Sequence, residues 1–118
     1  MMPIGPATRI YLAAGATDLR KSFEGLSDII RHRFQQDPHS GHLFVFANRS
    51  RTRLKLLYWD GSGLWCCAKR LGRGCFSWPK TSTEETGALR IVAEELTLLL
   101  SGIDLDKTRV RQWWRQAA

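Results

Sequence analysis

Long apolar runs, paired cysteines and the signatures of familiar catalytic sites are all missing from this 118-residue sequence. No stretch approaches the ~18 apolar residues of a membrane span. The opening residues lack a basic segment followed by an apolar core, so neither a membrane helix nor an export signal is expected. Cysteine is scarce: Cys66, Cys67 and Cys75 form an odd set with two neighbours adjacent. A disulfide framework is therefore not expected, and the reducing cytoplasm is the expected location. No CxxC or HExxH occurs. Cys66 and Cys67 fall on an expected strand, where successive side chains point to opposite faces and cannot readily share an ion. His32, His39 and His42, with Asp37, read as polar loop residues. No metal site and no cofactor is expected. Neither GxSxG nor a phosphate-binding P-loop is present. The acids are dispersed, with Asp18 at a helix start, Asp60 in a turn, and Glu94 and Glu95 on a helix. They do not read as a two-metal carboxylate centre. The chain reads as a non-enzyme.

What is abundant is positive charge, and it is concentrated. The chain carries 18 basic against 11 acidic residues, a net charge of +7. Arg49, Arg51, Arg53, Lys55, Lys69, Arg70 and Arg73 share one window with the single acid Asp60, leaving the rest of the chain nearly balanced. A patch of this kind points to a polyanion; the plainer reading is a solvated face that aids solubility.

Periodicity predicts the elements. Residues 8–12 read as a first strand, rich in β-branched and aromatic side chains. Asp18 is a good N-cap for a helix over residues 18–34, with Leu19, Phe23, Leu26, Ile30 and Phe34 as its apolar stripe. Residues 43–47 form an apolar run expected to be covered on both faces. Residues 53–59 and 64–70 read as strands joined through the hairpin signal Asp60-Gly61-Ser62-Gly63, and residues 75–78 as a short edge strand stopping at Pro79. Ser82-Thr83-Glu84-Glu85 resembles a capping box ahead of a helix over residues 88–100, with Leu89, Val92, Leu96 and Leu99 buried and Gly102 closing it. The fold class is α+β: a single domain with a mostly antiparallel β-meander, its N-terminal and C-terminal helices packed on one face of the sheet. The domain is placed at residues 1–103. Residues 104–118 are a basic, Trp-rich tail or short helix carrying Trp113 and Trp114.

Folding the hairpin brings the charges together. Reversal about Gly61-Ser62 sets Trp59 against Leu64, Tyr58 against Trp65 and Arg53 against Arg70, so both basic runs meet at one end of the meander. Like charges directly opposed are destabilising, and such a cluster is expected where an anion relieves the repulsion. Arginine suits phosphate through its planar fork of donors. The candidate nucleic-acid-binding residues are Arg49, Arg51, Arg53, Lys55, Lys69, Arg70 and Arg73. Arg20 and Lys21 form a candidate anion site in the first turn of the N-terminal helix. The plainer reading there has Asp18 capping the helix and Arg20 pairing with Glu24. Trp59, Trp65 and Trp78, with Tyr58 and Phe76, read as packing in preference to a platform for stacked bases.

The blocks Asp18-Leu19-Arg20-Lys21-Ser22-Phe23-Glu24-Gly25-Leu26 and Pro38-His39-Ser40-Gly41-His42-Leu43-Phe44-Val45-Phe46 carry a family resemblance. Arg53-Leu54-Lys55-Leu56-Leu57-Tyr58-Trp59-Asp60, Gly63-Leu64-Trp65, Lys69-Arg70-Leu71 and Gly74-Cys75-Phe76-Ser77-Trp78-Pro79 continue it. In order and spacing, over about residues 8–102, the chain resembles the second-reading-frame, TnpB-type accessory protein of the IS66 group of bacterial insertion sequences. It departs from that pattern at Gly72, at Cys75 and at the Cys66-Cys67 pair, and the tail after Lys107 lies outside the shared blocks. The resemblance implies an accessory role in DNA transposition beside a separate transposase that bears the catalytic carboxylates, and it brings no active site. The expected partners are DNA, with transposon ends as the candidate target, and the transposase subunit; no membrane partner is expected. Binding DNA through the basic hairpin patch is the leading reading. A protein–protein adaptor docking the transposase is its alternative, and a nuclease a distant third.

Overall fold

In a computed structural model, which describes residues 4–79, 87–102 and 115–116, the chain builds one six-stranded sheet with a helix on either side. The elements are β1 (Ile10–Ala13), α1 (Phe23–His32), β2 (Leu43–Ala47), β3 (Arg53–Trp59), β4 (Leu64–Arg70), β5 (Ala88–Ile91), α2 (Ala93–Leu100) and the two-residue β6 (Arg115–Gln116). Across the sheet the order is β4-β3-β2-β1-β5-β6. β2, β3 and β4 form the expected antiparallel meander. β1 runs parallel to β2, so α1 is the crossover of a β–α–β unit. Every residue of β1 and β2 is buried, as strands covered on both faces require.

The α+β class and the mostly antiparallel sheet are as expected, but the helices do not share a face. Alternate side chains of the sheet sort into two cores. Ile10, Leu12, Val45, Leu54, Leu56 and Tyr58 pack with Leu96 and Leu99 of α2. Tyr11, Phe44, Phe46 and Leu57, from the intervening positions, pack with Leu26 and Ile30 of α1. The all-apolar sequence of β2 has its cause here: each of its sides meets a different helix.

Four local expectations are corrected. α1 starts at Phe23 and not near Asp18; Ser22 is the N-cap, and Phe23 is 45% exposed although it falls on the apolar stripe. Residues 88–91, expected to open the second helix, are strand β5, because Leu89, Arg90 and Ile91 find ladder partners on β1. α2 then begins after Val92, whose N–H donates to the Glu95 carboxylate at 2.8 Å, the N3-to-N-cap half of a capping box. Val92, expected on the buried side, is 41% exposed. Residues 75–78 are no strand. They cross the α2 face, burying Phe76 and Trp78, with the Trp78 indole N–H donating to the Ala13 carbonyl at 2.8 Å. Gly102 does close α2, at φ +77°, where a side chain would be strained. The Ser82–Glu85 capping box and most of the tail helix lie outside the described residues; within that tail, Arg115–Gln116 pairs with β5 as a strand.

Candidate nucleic-acid interface

The β3–β4 hairpin has the register that places its charges. Trp59 pairs with Leu64, Tyr58 with Trp65 and Arg53 with Arg70. Asp60 fixes the turn. Its Oδ1 accepts the N–H groups of Ser62 and Gly63 at 2.8 and 2.9 Å and the Ser62 hydroxyl at 3.0 Å, while Oδ2 accepts the Trp65 indole N–H at 2.7 Å. These donors, the Ser62 N–H foremost and then the Trp65 indole, hold the Asp60 carboxyl far below the usual carboxylate range. Asp60 is thus a structural acceptor of the hairpin.

At the other end of the hairpin, the loop over residues 48–52 is organised by Asn48. Its side-chain carbonyl accepts the N–H groups of Thr52 and Arg53 at 3.0 and 3.1 Å. Thr52 in turn accepts the Leu71 N–H, and the Arg51 carbonyl accepts the Phe76 N–H. The segments carrying Arg49 and Arg73 are thereby tied to the same end of the sheet as Arg53 and Arg70.

The seven cations of the window do not all serve one surface. Strand alternation turns Arg53 and Lys55 of β3, and Arg70 of β4, toward the α1 side. Lys69 points to the opposite side, where its ammonium donates to the Leu100 carbonyl at the end of α2, 2.6 Å away. Arg51, at φ +59°, lies half-buried with its guanidinium 5.0 Å from the centroid of the Trp78 ring; its role is packing by a cation–π contact. Arg49 and Arg73 are exposed. Among the described residues, no carboxylate forms an ion pair with Arg49, Arg53, Lys55, Lys69, Arg70 or Arg73.

A groove of about 620 Å³ opens on this surface, walled on one side by the β3–β4 ends and on the other by Asp18, Leu19 and Arg20. The loop after β1 is held there by two bonds: the Thr17 N–H donates to the Ala47 carbonyl at 2.8 Å, and the Lys55 ammonium to the Lys21 carbonyl at 2.9 Å. Arg20, paired with Asp18, therefore lines the same groove from outside the basic window. Neither the helix-start site expected for Arg20 and Lys21 nor the Arg20–Glu24 pair forms. Both residues precede α1, and Arg20 clasps Asp18 instead, its Nε and Nη2 donating at 3.0 and 2.8 Å. The Arg20 side chain and backbone N–H pull the Asp18 carboxyl down to about 2 from its ordinary 3.8, and the carboxylate raises Arg20 in return. Spacing alone could have flagged this pair, since Asp at i and Arg at i+2 fit an Asx-type turn. The contribution of Asn48 to the groove had no such signal.

The histidines and cysteines are spread over separate tasks. His42 accepts the Arg9 N–H at its Nδ1, 2.9 Å away, and burial, with the nearby Arg9 and Arg90 charges, lowers its pKa. His39 sits edge-on to Trp59. Cys66 packs toward the α1 core while Cys67 is exposed on the other side. Among the described residues, no three His, Cys, Asp or Glu side chains gather as a metal site, and no helix is long and apolar enough to cross a membrane.

With this geometry in hand, comparison with known proteins is decisive. The family model described as IS66 Orf2 like protein matches residues 8–110. The chain belongs to the IS66 Orf2-like family. This family is an accessory protein of IS66 transposition. The IS66 Orf2-like chain is also 41% identical over 104 residues to the uncharacterized protein y4hO of Sinorhizobium fredii (strain NBRC 101917 / NGR234), covering 88% of each chain. It is 38% identical over 111 residues to the uncharacterized protein y4jC of the same strain, covering 92% of this chain and 91% of that one. No solved structure matches it significantly.

Proposed function

We propose that this IS66 Orf2-like protein is a non-catalytic accessory factor that binds DNA through the cationic end of the β2–β4 meander, beside a separate transposase. The observation that carries the reading is the direct opposition of Arg53 and Arg70 on the α1 side, with Lys55, Arg49 and Arg73 nearby and no carboxylate among the described residues to neutralise them. Two guanidinium groups held opposite one another repel until an anion enters between them, and phosphate matches the arginine fork. Phosphate contacts set affinity and position without reading sequence.

The test is a mobility-shift assay at two salt concentrations with transposon-end DNA, random duplex and single strands. Binding that weakens steeply with salt and is abolished by the triple change Arg49→Glu, Arg53→Glu and Arg70→Glu is the expected result. Arg51 is left alone because its reversal would disturb Trp78. Affinity indifferent to ionic strength would overturn the reading.

One observation favours a second reading, an adaptor that docks the transposase. β4 lies at the edge of the sheet with its outer side unpaired among the described residues, and its Trp65 is 51% exposed. An open edge of this kind is a template for another chain. Co-purification with the transposase that survives the triple arginine change, and is lost on Trp65→Ala at the open edge, would establish the adaptor instead.

A further inference from the structure

We propose that the open edge of β4 pairs with β4 of a second copy of this chain, antiparallel and centred on Cys67, joining two sheets into one about a two-fold axis. The inference goes beyond the DNA-binding reading and does not depend on it.

The edge argues first. β4 ends the sheet, and Trp65 and Cys67 to Arg70 are exposed along it. Exposed edges are ordinarily blunted by charge, proline or a bulge. The stretch Leu64-Trp65-Cys66-Cys67-Ala68 has no charge and no proline, and its register with β3 is unbroken. The hydrogen-bond pattern shows which backbone groups are free. The Asp60 N–H donates to the Gly63 carbonyl and the Leu71 N–H to the Thr52 carbonyl, and bonded pairs alternate along an antiparallel ladder. Trp65, Cys67 and Lys69 therefore turn their backbone groups to β3, while Leu64, Cys66, Ala68 and Arg70 direct theirs outward.

Self-complementarity argues next, and it selects a second copy over a different chain. A two-fold interface sets one patch against itself. Centred on Cys67, the pairing engages the whole strand, Leu64–Arg70: Cys66 faces Ala68 of the other copy, Leu64 faces Arg70, and Trp65 faces Lys69. Each outward-directed residue thus meets another. Moving the centre by one residue leaves strand residues without partners. The stem of Lys69 would cover Trp65, which is 51% exposed in the single chain.

The charges agree with this arrangement. Parallel pairing in register would set Arg70 against Arg70. Antiparallel pairing places the two Arg70 residues roughly 20 Å apart along the strands, about two Debye lengths at physiological salt. It also brings the acidic turn at Asp60 level with the basic end of the other copy, from Arg70 to Arg73. Because the axis stands perpendicular to the sheet, both Arg53–Arg70 pairs face the same side.

Light scattering after size exclusion of the full chain should give double the chain mass. Ala68→Pro removes an outward N–H and no bond to β3, a place where an edge strand tolerates proline. It should return the chain to a monomer with unchanged far-UV circular dichroism. Cys67→Lys opposes two like charges at the axis and should do the same, which covers the case in which the proline disturbs the strand. The register is read separately. Facing residues at a non-bonded position have Cα atoms about 4.5 Å apart, within the range of about 4.4–6.8 Å that a disulfide spans. In a Cys66→Ala, Cys75→Ser chain, diamide should link two exposed Cys67 thiols as one intermolecular disulfide, itself taking up the two electrons and two protons. Ala68→Pro should prevent that link. A monomer throughout the micromolar range, a dimer that survives both Ala68→Pro and Cys67→Lys, or a dimer that diamide does not link through Cys67 would overturn the proposal. None of these readouts involves DNA, so the DNA-binding reading stands or falls by its own assay.

Discussion

Arg53 and Arg70 are direct partners across β3 and β4, both exposed on the α1 side, and among the described residues neither is joined to a carboxylate. An opposed like-charged pair lowers stability, while an opposite-charged pair in the same place contributes about 0.2–1 kcal/mol. The single change Arg70→Glu should therefore raise the melting temperature slightly and weaken DNA binding at the same time. Thermal denaturation and mobility shift on one preparation measure both. A variant that loses stability together with affinity would show that Arg70 serves the fold and not a ligand.

The salt dependence of binding should be shallower than the count of cations in the basic window implies. Arg51 is committed to Trp78, and Lys55 and Lys69 to the Lys21 and Leu100 carbonyls. That leaves Arg49, Arg53, Arg70 and Arg73 to displace counterions. At about 0.9 ion per phosphate contact, log K against log salt should fall with a slope of about −3 to −4, where all seven would give about −6. Lys69→Gln should leave the slope unchanged, and Arg53→Gln should reduce it by about one. Equal effects of the two changes would mean that the two faces of the β3–β4 hairpin are not distinguished by the ligand.

The hairpin was legible in the sequence because its information is local. Asp60 and two glycines define the turn, Gly61 takes φ +102°, and equal strand lengths then leave one register in which every residue of both strands finds a partner. β5 was not legible for the opposite reason. Leu89, Val92, Leu96 and Leu99 have helical spacing, and only the distant partner β1 makes a strand of residues 88–91. The faces of the helices were hidden in the same way. A stripe such as Leu26 and Ile30 identifies the buried side of a helix but not the side of the sheet it meets. That depends on β1 and β2 being parallel with α1 between them. Within the candidate site, the Arg53–Arg70 pair followed from register, whereas the diversion of Arg51 and Lys69 followed from residues 76–78 and from the end of α2, neither of which was expected where it lies.

Acid should loosen the two carboxylate-centred turns below the usual range. Asp18 and Asp60 both have folded-state pKa values below the ordinary 3.8, Asp18 at about 2. A depressed value means that the stabilisation is fully present above the unfolded pKa and is lost as pH falls through the folded one. For Asp18 the window runs from about 4 down to about 2, and the Arg20 clasp should persist at pH 3. Carboxyl chemical shifts followed by NMR test this directly, with Trp65 emission reporting release of its indole from Asp60. A midpoint near 3.8 for either residue would contradict the hydrogen bonding described for it.

The separation of the helices by the sheet has an energetic consequence that a shared face would not. Ile30 of α1 and Leu96 of α2 are both fully buried, but in different cores. Ile30→Val should cost about 0.5–1.5 kcal/mol and Leu96→Ala about 2–5 kcal/mol. Sites without shared partners add to within about 0.3–0.5 kcal/mol. The double variant should therefore lose the sum of the two. Side chains lining one common core would relax into each other's space, and the double variant would then lose measurably less. Urea denaturation of the two single variants and the double variant, with similar m-values in all three, distinguishes the cases. Strong coupling between Ile30 and Leu96 would place both helices on the same side of the sheet and remove the reason for the uniformly apolar β2.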